Sequence, residues 1–289
     1  MKSFGYQKVF TLEEAFRLLD QYPDKARILA GGTDLLVKMR HSILSPELLI
    51  DIKEIPGLDE IRYDPAAGLQ IGALASIHKL ETSAVIKEKY GVIAQAAGSL
   101  ASFQVRTRAT LGGNLCNVSP HGDMAPCLLS LGAKVKIAGK KEDRLVPLEE
   151  FFVGPGITDL RPGEILAAVQ LPLPLPFTGC TYIKHTIRKA MDLAVVGVAV
   201  ALSADSERVK CREVKIALGA VGPIPLRAKR AENRLRGQKL DDFSISEVSR
   251  IASEEVQPIS DIRASGEYRR EMVRVITERA LKQAQGALS

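Results

Sequence analysis

The sequence predicts an α+β chain of two parts, and three observations carry that reading. Near the N-terminus short apolar runs flank a helical pattern in β–loop–α–β order. The middle is an Ala-rich helical stretch closed by a glycine turn and followed by further strands. The last third holds three evenly spaced strand-like runs and then helices. At 289 residues the chain exceeds the roughly 100–200 residues usual for one domain, which suggests two.

Thr11 and Glu14 form a capping box, in which the threonine hydroxyl accepts from the first turn and Glu14 reaches back. Leu12, Ala15, Phe16, Leu18 and Leu19 then make an apolar helical face, and Pro23 follows its end. Residues 27–30 read as a buried strand, 35–39 as a helix and 48–52 as a second strand, a unit of parallel type. Pro56-Gly57 and residues 65–68 punctuate the chain. A strand over 69–73, a helix from Ser76 to about Glu81, and a helical run over 85–102 come next. Residues 110–114 form a second glycine turn, 123–131 a short apolar helix, and 133–138, 145–146 and 165–171 strands. Pro172, Pro174 and Pro176 mark the domain boundary, because proline cannot donate to a ladder and stiffens a linker. The division is therefore 1–175, with subdomains of about 1–56 and 57–175, and 176–289. Beyond it, 180–186, 194–202 and 211–221 suggest an antiparallel meander, and 226–236, 245–256 and 266–285 helices.

Composition removes several classes. Hydrophobic residues at 46% and charged residues at 26% describe a folded chain, not a disordered one. The longest apolar stretch, 193–202, falls short of the roughly 18 residues of a membrane helix, so no integral membrane protein is expected. Residues 1–10 carry no apolar core of a secretory signal. Cys116, Cys127, Cys180 and Cys211 form no CxxC pair and read as reduced thiols of a cytoplasmic protein. The net charge of +6 resides in residues 176–289, where 20 Lys and Arg face 14 Asp and Glu. Without interleaved aromatics this balance argues for a solvated face or an acidic protein partner, not nucleic acid. His41, His78, His121 and His185 have no metal-ligand spacing, and no metal site is expected.

Two glycine turns carry the chemistry: Ala30, Gly31, Gly32, Thr33, Asp34 and Leu35, and Thr110, Leu111, Gly112, Gly113, Asn114 and Leu115. Glycines let successive N–H groups point one way and let a ligand approach the backbone. Two such turns can clamp both phosphates of a dinucleotide, and each alone also reads as a tight turn without ligand. Neither matches the Rossmann or P-loop pattern, and Gly154-Pro-Gly156 lacks a third glycine.

These turns, with residues 71–74, 104–114 and Asp123, resemble the FAD-binding subunit of molybdenum hydroxylases, which includes the carbon monoxide dehydrogenase medium subunit and the xanthine dehydrogenase flavin domain. Tyr182 to Lys184 with Asp192, and 261–265 with Tyr268 and Arg269, resemble that family's C-terminal domain, so the likeness spans essentially the whole chain. It implies a two-subdomain FAD-binding fold of the PCMH/vanillyl-alcohol-oxidase type, followed by an antiparallel sheet with helices.

The resemblance places the FAD pyrophosphate on Gly31, Gly32, Thr33 and Asp34, flanked by Ala30 and Leu35, and on Thr110, Gly112, Gly113 and Asn114. Ser119 and Asp123 then face the ribose or adenine side, Leu166 lines the isoalloxazine, and Lys184 lies close to the flavin. Tyr182 stands either near the ring or in the C-terminal core. Cys116 and His121 are open between cofactor contact and ordinary packing or solvent. Some relatives carry an inserted four-cysteine segment; this chain has none, so no iron–sulfur cluster is expected here. The implied function is electron transfer, with non-covalent FAD in this chain. Molybdopterin and [2Fe–2S] centres belong to a large and a small partner subunit, and no catalytic residue is expected here. A stand-alone FAD oxidase and a non-catalytic scaffold with degenerate turns are the alternatives.

Overall fold

The computed structural model describes residues 2–288. The chain opens with β1 (Gly5–Lys8), α1 (Leu12–Gln21), β2 (Ala26–Leu29), α2 (Leu35–Arg40) and β3 (Leu48–Asp51). These make a parallel three-stranded sheet in the order β1-β3-β2. The α1 capping box forms as the residues require: the Glu14 N–H donates to Thr11 Oγ1 at 3.2 Å, and the Glu14 carboxylate accepts from the Phe10 N–H at 2.7 Å.

A second unit holds β4 (Ile61–Asp64), β5 (Gly68–Gly72), α3 (Ile77–Thr82), α4 (Ala84–Lys89), α5 (Gly91–Ser99), α6 (Phe103–Arg106), α7 (Leu111–Asn117) and α8 (Met124–Ser130). It continues with β6 (Lys134–Ala138), β7 (Arg144–Pro147), α9 (Leu148–Phe151), the short hairpin β8 (Phe152–Gly154) and β9 (Ile157–Thr158), and β10 (Ile165–Leu171). Its antiparallel sheet runs β4-β5-β10-β6-β7. The exposed segment 172–176 leads through Phe177 to β11 (Thr178–His185), β12 (Val196–Ala204), β13 (Cys211–Gly219) and β14 (Leu226–Arg227), an antiparallel sheet in that order. Helices α10 (Lys229–Leu235), α11 (Asp242–Glu254) and α12 (Gly266–Gly286) complete the chain.

The C-terminal sheet is buried on both faces, which is why β12 reads as a continuous apolar run. Period-two alternation sorts its residues between two cores. Val198, Val200, Ile216 and Leu218 pack with Leu235, Val273 and Leu281 of the C-terminal helices. Tyr182, Ala199 and Ala217 face the other way and join Ile71, Leu80, Ile93, Leu111 and Phe151 of the preceding unit. The sheet thus forms one wall of the first part's core as well as its own. Among the described residues no helix is long and apolar enough to cross a membrane.

Four local expectations are corrected. The helical run over 85–102 breaks at Tyr90, whose backbone leaves the helical region at φ −140° while its hydroxyl donates to the Pro172 carbonyl at 3.0 Å. The second glycine turn is not a turn but the start of α7, capped by Thr110. The helix expected from Leu226 begins at Lys229, because Leu226 and Arg227 pair with β13 first. The strand expected over 211–221 stops at Gly219, where Ala220 turns into the left-handed region at φ 64°.

Candidate functional site

The two glycine segments meet. A side-chain carbon on Gly31 would run into the Arg108 carbonyl oxygen, with the Arg108 carbonyl carbon at 2.8 Å and the Ala109 Cα at 3.0 Å. Only hydrogen fits there, so the first turn lies against the connection between α6 and α7 that feeds the second. Lys38 of α2 adds a hydrogen bond to Asn117 Oδ1 at the far end of α7, 2.6 Å.

Their hydrogen bonding differs. Among the described residues none of the N–H groups from Gly31 to Leu35 finds a protein acceptor. Gly32 at φ 76° reverses the chain, so these donors lie on an accessible turn. The second segment has no such freedom. The N–H groups of Leu111 and Gly112 donate to the Ala75 and Ala73 carbonyls at 3.0 and 2.7 Å. Gly113 N–H donates to Thr110 Oγ1 at 3.1 Å, and Asn114 N–H to the Thr110 carbonyl at 3.0 Å. The expected second cradle of backbone donors is therefore already consumed. Gly112 packs against Ala73, whose Cβ would lie 2.7 Å from an added side-chain carbon, whereas Gly113 is exposed and would meet only Thr110 Oγ1.

One atom here lacks a partner. Asn114 Oδ1 is buried and accepts no hydrogen bond from the described residues, an arrangement that costs about 1–3 kcal/mol unless a donor arrives. Free donors on one turn, an open glycine and an orphaned acceptor on the other fit a ligand bearing both anionic oxygens and hydrogen-bond donors. FAD, with its pyrophosphate, ribityl and ribose hydroxyls and adenine amine, has that chemistry.

Beyond α7, Val118 takes a left-handed conformation and residues 119–122 form a tight turn, the Gly122 N–H donating to the Ser119 carbonyl at 2.9 Å. His121 Nδ1–H donates to the Ala194 carbonyl at 2.9 Å and so ties the turn to the segment that leads into β12. Asp123 is buried, with both carboxylate oxygens engaged: Tyr182 donates its hydroxyl at 2.7 Å and Lys184 its ammonium at 2.9 Å. Lys184 donates as well to the Ser99 carbonyl at 3.0 Å. Burial pushes the Asp123 carboxyl above its ordinary range, against the pull of Lys184 and Tyr182. Burial, then the Asp123 charge, pushes the Tyr182 phenol well up.

This cluster alters the expected layout. Asp123 and Lys184, which the resemblance places toward different parts of FAD, are one ion pair. Tyr182 is 3% exposed and sits in a core, but in that of the first part and not of the C-terminal sheet. Leu166 is 4% exposed in the same core, beside a register shift between β10 and β6. Cys116 keeps an accessible edge, yet burial of its sulfur pushes the thiol up to about 12, so it is no nucleophile near neutral pH. His78 packs edge-on to Phe103 at 4.9 Å and lies 3.3 Å from Glu81. Among the described residues no group of three or more His, Cys, Asp or Glu is placed to hold a metal.

Two residues of the cluster escape the sequence reading. Gln95 accepts from the Tyr182 N–H at 3.1 Å, and Ser99 supplies the Lys184 acceptor. Gln95, the lone amide on a helix otherwise built of small and apolar residues and a terminal serine, was available as a signal; the Ser99 contact was not, because it is made by the backbone carbonyl.

Residues 2–174 match the family described as the FAD binding domain in molybdopterin dehydrogenase, and residues 181–284 the CO dehydrogenase flavoprotein C-terminal domain. The chain is 32% identical over 282 residues to the glyceraldehyde dehydrogenase medium chain of Sulfolobus acidocaldarius, covering 97% of this chain and 98% of that one. It is 31% identical over 284 residues to a xanthine dehydrogenase FAD-binding subunit of Escherichia coli, covering 98% and 96%. Its fold superimposes on carbon monoxide dehydrogenase from Hydrogenophaga pseudoflava with a TM-score of 0.96 at 30% identity, covering 100% of this chain and 99% of that one. The chain belongs to the family of FAD-binding medium subunits of molybdenum hydroxylases and is an oxidoreductase subunit.

Proposed function

We propose that the chain works as the electron-transfer subunit of a cytoplasmic molybdenum hydroxylase, beside a molybdopterin-binding large subunit and a small [2Fe–2S] subunit. Electrons arrive from the small subunit's clusters and leave to an external acceptor. FAD, held without a covalent bond, supplies reversible uptake and release of electrons. The open N–H groups of Gly31 to Leu35 hold the pyrophosphate, with Ala30 leading into the turn. Thr110, Gly112, Gly113 and Asn114 form the opposing wall: Gly112 by packing, Gly113 by leaving space, and Asn114 through its unpaired oxygen. Ser119 and its turn serve the ribose and adenine side. Asp123 joins that turn to β11 and holds Lys184, which supplies positive charge on the flavin side, while Leu166 and Tyr182 back the pocket from the core. Four free thiols suit a reducing compartment.

The observation that carries this reading is the open turn at Gly31–Leu35, seated on Arg108–Ala109 beside the orphaned Asn114 oxygen. The relatives' names span glyceraldehyde, xanthine and carbon monoxide at 32%, 31% and 30% identity. Likeness to this chain does not sort substrates, as expected if another subunit handles them.

Acid precipitation of the purified full chain should release FAD into the supernatant. Without partners the flavin band should bleach with dithionite and not with organic substrate; with both partner subunits, substrate should bleach it. Flavin retained in the pellet, FMN in the extract, or turnover of an aldehyde or N-heterocycle by the isolated chain would overturn the proposal.

A further inference from the structure

Arg269, in the first turn of α12, is 0% exposed. A buried guanidinium costs several kcal/mol to desolvate, and a buried ion pair is often replaceable by apolar residues without loss of stability. Packing alone therefore gives no reason for an arginine here. Its bonds do. Nη1 donates to the Val195 carbonyl at 2.7 Å and to the Ala220 carbonyl at 3.2 Å, and Nη2 donates to Asp261 Oδ1 at 2.7 Å. Asp261 is itself held by the N–H groups of Arg263 and Ala264, at 2.9 and 3.2 Å, and by the Arg263 guanidinium at 3.0 Å. Both ends of the pair are thus fixed.

The two carbonyls that Arg269 holds belong to the segments that hold the 119–122 turn. The Ala220 N–H donates to the Pro120 carbonyl at 2.7 Å. The carbonyl of Ala194, one residue before Val195, accepts from His121 at 2.9 Å. Between them Gly219 leaves no room for a side chain, since an added carbon would lie 2.7 Å from Pro126 Cγ. The turn is therefore seated on two peptide groups, each adjoining in the chain a peptide group whose carbonyl Arg269 holds.

We infer that Arg269 and Asp261 are a positioning pair for the cofactor site: from the C-terminal domain they set the 119–122 turn, and with it Ser119. Neither residue touches the cofactor. This inference rests on the proposed role of that turn at the ribose and adenine side. It predicts a selective defect, because FMN lacks the adenosine half that the turn serves.

The test uses the full chain and measures affinity for FAD and for FMN by flavin fluorescence, alongside the thermal unfolding midpoint. Arg269→Met removes the clamp. His121→Phe cuts the tie from the other side and leaves the buried arginine intact, so the test stands even if Arg269→Met fails to fold. Arg274→Ala, on the same helix and paired with Glu271, is the control. His121→Phe, and Arg269→Met where it folds, should weaken FAD by about tenfold and FMN by no more than about twofold, with the control unchanged. A lowered midpoint with an unaltered FAD-to-FMN ratio would overturn the inference and leave Arg269 a structural residue. Wild-type chain that binds no FAD would overturn the site reading instead.

Discussion

The two glycine segments are spelled almost alike, Gly31-Gly32-Thr33 and Gly112-Gly113-Asn114, yet they do opposite things with their backbones. The first leaves its N–H groups free; the second spends all of its own on Ala73, Ala75 and Thr110. The difference lies in what surrounds each. The first turn is pressed from behind on one side, at Gly31, and open on the other. The second runs beside the turn that follows β5, where the Ala73 and Ala75 carbonyls draw it into a helix despite two glycines. A glycine pair does not specify an anion cradle; the acceptors its neighbours offer decide whether donors remain for a ligand.

That comparison breaks most violently at Gly31 and Gly112. Gly31→Ala pushes a methyl group into the Arg108 carbonyl, where only backbone can yield. We expect a loss of at least about 3 kcal/mol, the upper end of ordinary overpacking, read from urea unfolding. Gly112→Ala meets the Ala73 methyl first, at 2.7 Å, and the Ala73 carbonyl at 2.9 Å. Its cost should be about 1–3 kcal/mol, and Ala73→Gly in the same chain should recover part of it as a coupling energy. Identical losses with and without Ala73→Gly would mean that the methyl contact is not what excludes the alanine.

Gly32 should give the intermediate effect. Its φ of 76° costs an alanine about 1–2 kcal/mol. An asparagine tolerates that region better, so Gly32→Asn should unfold at a higher urea concentration than Gly32→Ala. Equal midpoints would show that crowding by Leu29 and Leu36, at 3.1 and 3.2 Å, dominates over backbone conformation.

Much of this was legible where the signal is local. The α1 capping box, the Ser76 cap and the three meander strands follow from spacing alone. What escaped depends on distant partners. Strand β1 is exposed along its whole length and has no apolar alternation; it is a strand because β3 pairs with it. The start of α7 contradicts helix propensity and is imposed by Ala73 and Ala75. At the site, residue types were legible and their joint use was not. Asp123 meets Lys184 across 61 positions, and Arg269 reaches Val195 across 74, which no spacing rule connects. Family likeness could point to Asp123 and Lys184 one by one, but their pairing needed the sheet to be placed against α5 and α8.

The sharpest form of the comparison is the substitution with the smallest effect on folding. Gly113 lies inside α7, is exposed, and an added carbon would meet only Thr110 Oγ1, at 2.9 Å. The Thr110 hydroxyl must shift, which weakens its cap on the Gly113 N–H, while replacing a helical glycine by alanine recovers up to about 1 kcal/mol of propensity. The two effects offset, so Gly113→Ala should move the unfolding free energy by no more than about 0.5 kcal/mol. The same methyl group stands on the open side of α7, where the cofactor is proposed to pass, next to the orphaned Asn114 oxygen. FAD affinity should therefore fall by about tenfold or more, equivalent to about 1.4 kcal/mol, in a chain that is otherwise intact. Gly31 and Gly112 variants cannot separate folding from binding, because both glycines pack against backbone or core. If Gly113→Ala bound FAD like the wild type, the second segment would be only a helix supporting the first turn. The whole phosphate contact would then belong to Gly31–Leu35. A fall in affinity with an unchanged midpoint would place α7 in the cofactor wall in its own right.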